Sequence, residues 1–233
     1  MKDKYVYPNT NILINKENIR SQQKLDYFES TVFNLALIKL QEDGILINST
    51  ADIFLIHELL FGEVYEWAGK PREINIYKEE LVINNLSVEY EDHTRIRNKI
   101  NELDRELKNL CWDDPIELVE NLADYLAKLW KIHPFREGNT RAVVTYLFFL
   151  ITQNKYSINI ELIGENAKYF RNALVMASIG EHSETHHLKE ILTEAIFINE
   201  EGIISPRANT EKYSTINNLD MVDYKYNYHM HKV

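Results

Sequence analysis

Three observations predict an all-α chain with one short β-hairpin. Apolar residues recur at helical spacing through most of its length. One segment, 142–151, is apolar on every side, as in a helix buried on all faces, and is too short to span a membrane. Strand-prone runs are confined to a single stretch after Pro71.

Residues 1–20 are polar and turn-rich around Pro8-Asn9-Thr10-Asn11 and read as an arm that wraps a surface. Leu25, Phe28, Val32 and Leu35 predict a helix from a Ser21 cap to about Gln41, stopped near Gly44. Thr50 caps a second helix through Ile53, Ile56, His57 and Leu60, ending near Gly62. Ile74 and Ile76, then Leu81, Val82 and Ile83, are β-prone runs separated by Lys78-Glu79-Glu80, the pattern of a hairpin. Ile96, Ile100, Leu103, Leu107 and Leu110 make 93–110 an amphipathic helix. Asp114-Pro115 starts the next, with the acid at the cap and proline in the first turn. Val119, Leu122, Ala123, Leu126 and Trp130 carry it to His133. Two further helices are expected over 166–178 and 184–197. There is no internal repeat, so the division is an arm (1–20), one domain (21–198) and a tyrosine-rich extension (199–233) that packs on the core or is partly mobile.

Composition narrows the function. The chain has 233 residues, 45% of them hydrophobic, enough to bury a core. Its net charge of −10 argues against general nucleic-acid binding, which needs a basic face. The single cysteine, Cys111, excludes an internal disulfide. His182, His186 and His187 are the nearest approach to a metal cluster and read as solvated helix residues. The first residues lack the apolar core of a signal peptide, so a cytoplasmic protein is expected.

Chemistry is concentrated in His133-Pro134-Phe135-Arg136-Glu137-Gly138-Asn139-Thr140-Arg141, just before the apolar helix. If that helix begins near Gly138, the backbone N–H groups of Gly138, Asn139 and Thr140 lie unpaired at the positive end of its dipole, an anion site. Glycine permits close approach, Arg141 offers a donor fork suited to phosphate, and Glu137 is a carboxylate suited to Mg2+. His133 then stands beside a bound polyphosphate as a general base. Taken singly, each residue is more often packing or a solvated charge; their joint spacing carries the reading.

These nine residues resemble the signature of the Fic/Doc family, H-x-F-x-(D/E)-G-N-(G/K)-R, departing only at Thr140. The resemblance implies an all-helical core with a β-hairpin, the flap, beside the active-site loop. It also implies Mg2+-dependent transfer of AMP from ATP to a hydroxyl side chain of a target protein; transfer to the enzyme itself is expected from the missing inhibitory acid considered below. By position, His133 is the base, Phe135 packs in the core and Glu137 holds Mg2+. Arg136, Gly138, Asn139, Thr140 and Arg141 bind the nucleotide phosphates. The helix at 166–178 would bring Tyr169 and Asn172 to the adenine pocket. Residues 60–70, LFGEVYEWAGK, resemble the segment that precedes the flap, and Ile74, Ile76, Leu81, Val82 and Ile83 would be the flap that docks a target. No nucleic-acid or membrane partner is implied, and a homo-oligomer remains open.

Many family members carry an inhibitory helix, (S/T)-x-x-x-E-(G/N), whose Glu pairs with the last Arg of the loop. No convincing match is found here: the candidate positions, Asn34 and Asn227, are amides, which predicts weak inhibition or none. Two other readings stay open, transfer of another phosphate-containing group at the same site and a non-catalytic module that binds nucleotide or partner.

Overall fold

Most helices appear where apolar spacing and cap chemistry place them. The computed structural model describes residues 3–198, apart from 155 and 182; the tail residues considered above, Asn227 among them, lie outside the described residues. Helix α1 spans Gln22–Asp43 and stops at Gly44, whose positive φ of 71° no β-carbon hinders. Helix α2 (Asp52–Phe61) begins just after Thr50, whose hydroxyl accepts a hydrogen bond from Tyr125 rather than capping the helix. Helix α3 (Ile96–Lys108) follows a short 3-10 turn, His93–Arg95. Helix α4 (Pro115–Ile132) is capped by Asp114, whose carboxylate accepts from the N–H groups of Ile116 and Glu117. Helix α5 (Asn139–Gln153) is the apolar segment after the loop.

Then come β1 (Tyr156–Ile158), α6 (Ile160–Glu165), α7 (Ala167–Met176), α8 (His186–Ala195) and β2 (Ile196–Ile198). The last predicted helix therefore ends before Phe197: Ile196–Ile198 pair antiparallel with β1, Ser157 opposite Phe197. Three consecutive β-prone residues gain a ladder that a further half-turn of helix would not provide.

α5 is central, packed against α2, α4 and β1, while α4 also carries α3, α7 and α8. Burial of most of α5 explains its unbroken apolar run. α1 lies on α2. The N-terminal arm packs down through Tyr5 and Tyr7, with Tyr5 Oη accepting from the N–H of Glu73.

The flap departs from a regular hairpin. Ile74, Ile76 and Glu80 turn inward and Asn75, Tyr77 and Glu79 outward, the alternation of an extended strand, but 74–79 joins no ladder. Leu81–Ile83 form a 3-10 turn instead of the return strand, and a single antiparallel bridge, Glu80 with Leu86, closes the loop. Asn84 and Asn85 both adopt positive φ (56° and 62°), turning the chain before Leu81, Val82 and Ile83 can pair. Val82 and Ile83 pack on the core instead.

Candidate active site

The loop that joins α4 to α5 is built by its own side chains. His133 takes the left-handed conformation (φ 48°, ψ 61°) that ends α4. Asn139 then fastens the turn: its Oδ1 accepts from the N–H of Phe135 at 2.9 Å and its Nδ2 donates to the Phe135 carbonyl at 2.8 Å. The Asn139 side chain is thus spent inside the loop, and what it offers an anion is its backbone N–H. Gly138 caps α5 at φ 80°, and a β-carbon there would lie 2.7 Å from Phe61 Cε2. Only glycine fits. The first intrahelical bond of α5 runs from the Ala142 N–H to the Gly138 carbonyl, so the N–H groups of Asn139, Thr140 and Arg141 precede it at the positive end of the dipole.

Two residues that sequence reasoning passed over hold this loop from beneath. His57 of α2 is fully buried and stacks on Phe135, ring centroids 3.7 Å apart. Its Nδ1 accepts from the N–H of Gly69 at 3.0 Å, so the proton is on Nε2, which donates to the Glu137 carbonyl at 3.0 Å. Burial lowers its pKa to about 3, consistent with a neutral ring. Arg72, also buried, donates to the carbonyls of His133, Ile74, Glu91 and Ile132 and ties the start of the flap to the end of α4. An arginine after a proline gave no local sign of this role.

The site residues converge on one cavity of about 560 Å³, lined by His133, Arg136, Glu137, Gly138, Asn139, Thr140 and Arg141 together with Glu29, Lys78 and Arg171. His133 is 2% exposed. Its Nδ1 lies 3.3 Å from the Trp130 carbonyl, which can only accept, so the proton is on Nδ1 and the lone pair on Nε2. Nε2 has no hydrogen-bond partner among the described residues. Burial, reinforced by the Lys78 ammonium, holds the imidazole pKa well below its usual value. A neutral imidazole therefore stands in the cavity wall, with Nε2 buried.

Glu137 is about a third exposed; Oε1 accepts from the Gly138 N–H, and Oε2 lies 3.4 Å from Lys78 Nζ on the flap. A cation already stands against this carboxylate, and a hard oxygen donor of this kind suits Mg2+. The Thr140 hydroxyl is engaged within the protein, its Oγ1 accepting from Trp130 Nε1 at 3.0 Å. Arg136 is held by the arm, Nη2 at 2.8 Å and Nε at 2.9 Å from Asp3 Oδ2.

Tyr169 and Asn172 do not line the cavity; the α7 residues that do are Ala167, Phe170 and Arg171. Successive residues on a helix point about 100° apart, and packing rotates Tyr169 onto α8, where it meets His187 and Glu190. Of the five flap residues expected to dock a target only Leu81 reaches the cavity, where Lys78, Glu79 and Asn85 of the same loop also lie. Glu80 is buried and paired through both oxygens with Arg171, 2.7 and 2.8 Å away, fastening the flap to α7.

Sequence reasoning found no acidic partner for Arg141; the structure pairs it with Glu29 of α1. Its Oε1 accepts from Arg141 Nη2 at 2.6 Å, both side chains nearly buried, while the Tyr65 hydroxyl donates to Oε2. Burial and the Glu29 charge raise the Tyr65 pKa, so the phenol stays a donor. Around Glu29 the inhibitory pattern is not met, with Leu25 at its hydroxyl position and Ser30 at its last, and the hydroxyl that holds Glu29 comes from Tyr65 on another element.

Such an arrangement defines a helical protein built around one anion-receptive loop carrying a base and a carboxylate. The Fic/DOC family profile matches residues 48–151. A relative named "Probable protein adenylyltransferase y4lH" from Sinorhizobium fredii is 31% identical over 185 residues, 78% of this chain and 91% of its own. "Probable protein adenylyltransferase Fic" of Escherichia coli is 29% identical over 171 residues, covering 71% of this chain and 80% of its own. The protein adenylyltransferase VbhT of Bartonella schoenbuchensis is 29% identical over 161 residues, covering 67% of this chain and 32% of its own length. Among solved structures, BepC from Bartonella tribocorum with bound AMPPNP superposes with a TM-score of 0.68 at 22% identity, covering 86% of this chain and 99% of that one. The chain belongs to the Fic/DOC family.

Proposed function

We propose that this chain is a protein adenylyltransferase that moves AMP from ATP to a hydroxyl side chain of a target protein and of itself, with residues 21–198 as the catalytic unit. The observation that carries the reading is the lone pair of His133 Nε2, neutral and unpartnered among the described residues, on the wall of the cavity that the α5 N-terminus enters. The names of the relatives above support the same group transfer. The triphosphate lies against the N–H groups of Asn139, Thr140 and Arg141. His133 Nε2 takes the proton of the attacking hydroxyl; the oxygen bonds to the α-phosphorus, the bond to the β-phosphate oxygen breaks, and pyrophosphate leaves. Glu137 would hold Mg2+, which when bound neutralises phosphate charge. The extended, ladder-free segment 74–79 offers backbone groups to an extended piece of the target.

Arg141 Nη2 is engaged by Glu29, while Nη1 has no partner among the described residues, and this pairing would restrain Arg141 from the distal phosphates. The chain is therefore inhibited until that pair opens.

The test is incubation of the protein and candidate acceptors with Mg2+ and ATP labelled on either the α- or the γ-phosphate, beside His133→Ala. Retention of α-label only, lost in the variant, is the expected result. Transfer of γ-label would show that phosphate is moved instead, and bound nucleotide with no covalent label in wild type or in Glu29→Gly would leave only a binding module.

A further inference from the structure

The strongest unassigned cluster lies behind the cavity, where α7 meets α8. One ligand atom each of Glu184, His186 and His187 lies within 4.8 Å of the others. As neighbours on a regular helix, two histidines would point about 100° apart. Here His186 and His187 open α8, and their rings converge to 3.7 Å between centroids.

The cluster is anchored to α7 at two points. The Glu184 N–H donates to the Met176 carbonyl at 3.0 Å. The Tyr169 hydroxyl, 1% exposed as a residue, donates to Glu190 Oε2 at 3.0 Å and lies 3.1 Å from His187 Nδ1. A phenol has one proton; since it goes to Glu190, Nδ1–H of His187 donates to the phenol oxygen and the lone pair is on Nε2. A carboxylate-terminated relay behind a histidine is the support that metal-binding imidazoles use to fix their tautomer and orientation.

We propose that Glu184, His186 and His187 form a binding site for a divalent transition-metal ion, with Zn2+ as the representative ligand. Two imidazoles and one carboxylate are the donors such ions favour, whereas Mg2+ prefers an all-oxygen shell. Tetrahedral ligands about 2.1 Å from zinc lie roughly 3.4 Å apart, so the exposed side chains must close by about 1.4 Å at most to hold it. The Glu184 charge offsets the unfavourable dipole at the α8 N-terminus. A bound ion would tie the start of α8 to the segment before it, and that segment and His187 are hydrogen-bonded to α7 at Met176 and Tyr169. The site is independent of the adenylyl-transfer reading.

The experiment uses the untagged full chain, stripped with a chelator and titrated with Zn2+ against a zinc-binding dye in excess Mg2+. Because His182, His229 and His231 also offer imidazoles, the decisive comparison is wild type with His186→Ala and Glu184→Gln. Both residues are exposed, and circular dichroism checks that the variants fold. One zinc-binding equivalent lost or weakened by roughly tenfold or more in both variants, with a zinc-dependent rise in wild-type melting temperature that they lack, is the expected result. No zinc binding by wild type, or equal affinity and stoichiometry in His186→Ala, would overturn the proposal.

Discussion

Arg141 donates to Glu29 across 112 positions of sequence, at 2.6 Å and with both side chains nearly buried. The guanidinium also lies over Phe61, 4.5 Å from the ring centroid, so a charge that gave up its partner here would be left against apolar rings. A phosphate can replace the carboxylate as that partner; an empty site cannot.

Glu29→Gly should therefore raise the rate of AMP incorporation from ATP, by about tenfold or more, equivalent to about 1.4 kcal/mol of barrier. Tyr65→Phe, which removes one hold on the Glu29 carboxylate, should raise it by less. Rates of α-label incorporation for the three proteins side by side measure both effects. Equal rates would mean that the pair does not control the site.

His133 and His57 make stability fall in acid. Burial lowers the pKa of His133 well below 6.5 and that of His57 to about 3. Unfolded, both take up protons near pH 6.5, so below that value the unfolded chain binds more protons and stability drops; above it these groups add no slope. Each contributes at most about 1.4 kcal/mol per pH unit. Urea denaturation at about pH 7 and about pH 5.5 should show that His133→Ala loses less stability between the two than wild type does.

The buried pair of Glu80 with Arg171, joined by a hydrogen bond from the Tyr90 hydroxyl at 3.1 Å, holds the flap against α7. Glu80→Gln keeps the shape and removes the charge, leaving the guanidinium short of its partner at a cost of about 3 kcal/mol. Amide exchange over 77–87 should accelerate while the rest of the core is unchanged. Target modification should fall more than ATP affinity.

At Gly138 the backbone conformation and the space point the same way. Gly138→Ala places a methyl 2.7 Å from Phe61 and 3.2 Å from His57 at a positive φ, costing about 1–2 kcal/mol for the backbone alone. Melting temperature and transfer rate should both fall. Adding Phe61→Leu should recover part of the loss, so the double variant should be more stable than the sum of the singles.

Sequence by itself determined what short-range physics determines. Cap chemistry at Asp114-Pro115, the stop at Gly44 and the all-round apolar run after Thr140 act within a few residues, and the helices stand close to where those cues put them. The loop from His133 to Arg141 was legible for the same reason, because its turn is closed by a neighbour four positions away, Asn139 to Phe135. Tertiary structure decided the rest. Tyr169 faces α8 rather than the cavity because packing against neighbouring helices sets the rotation of α7, and no residue within α7 encodes that angle. The flap has no second strand because Asn84 and Asn85 turn the chain, and Glu80 is fastened to Arg171 across the fold. Glu29 reaches Arg141 only because α1 is laid across α2, and the hydroxyl that holds it comes from Tyr65, 36 positions away. A local pattern records neighbours along the chain, whereas a buried ion pair is selected by whichever opposite charge the fold leaves within reach once water is gone.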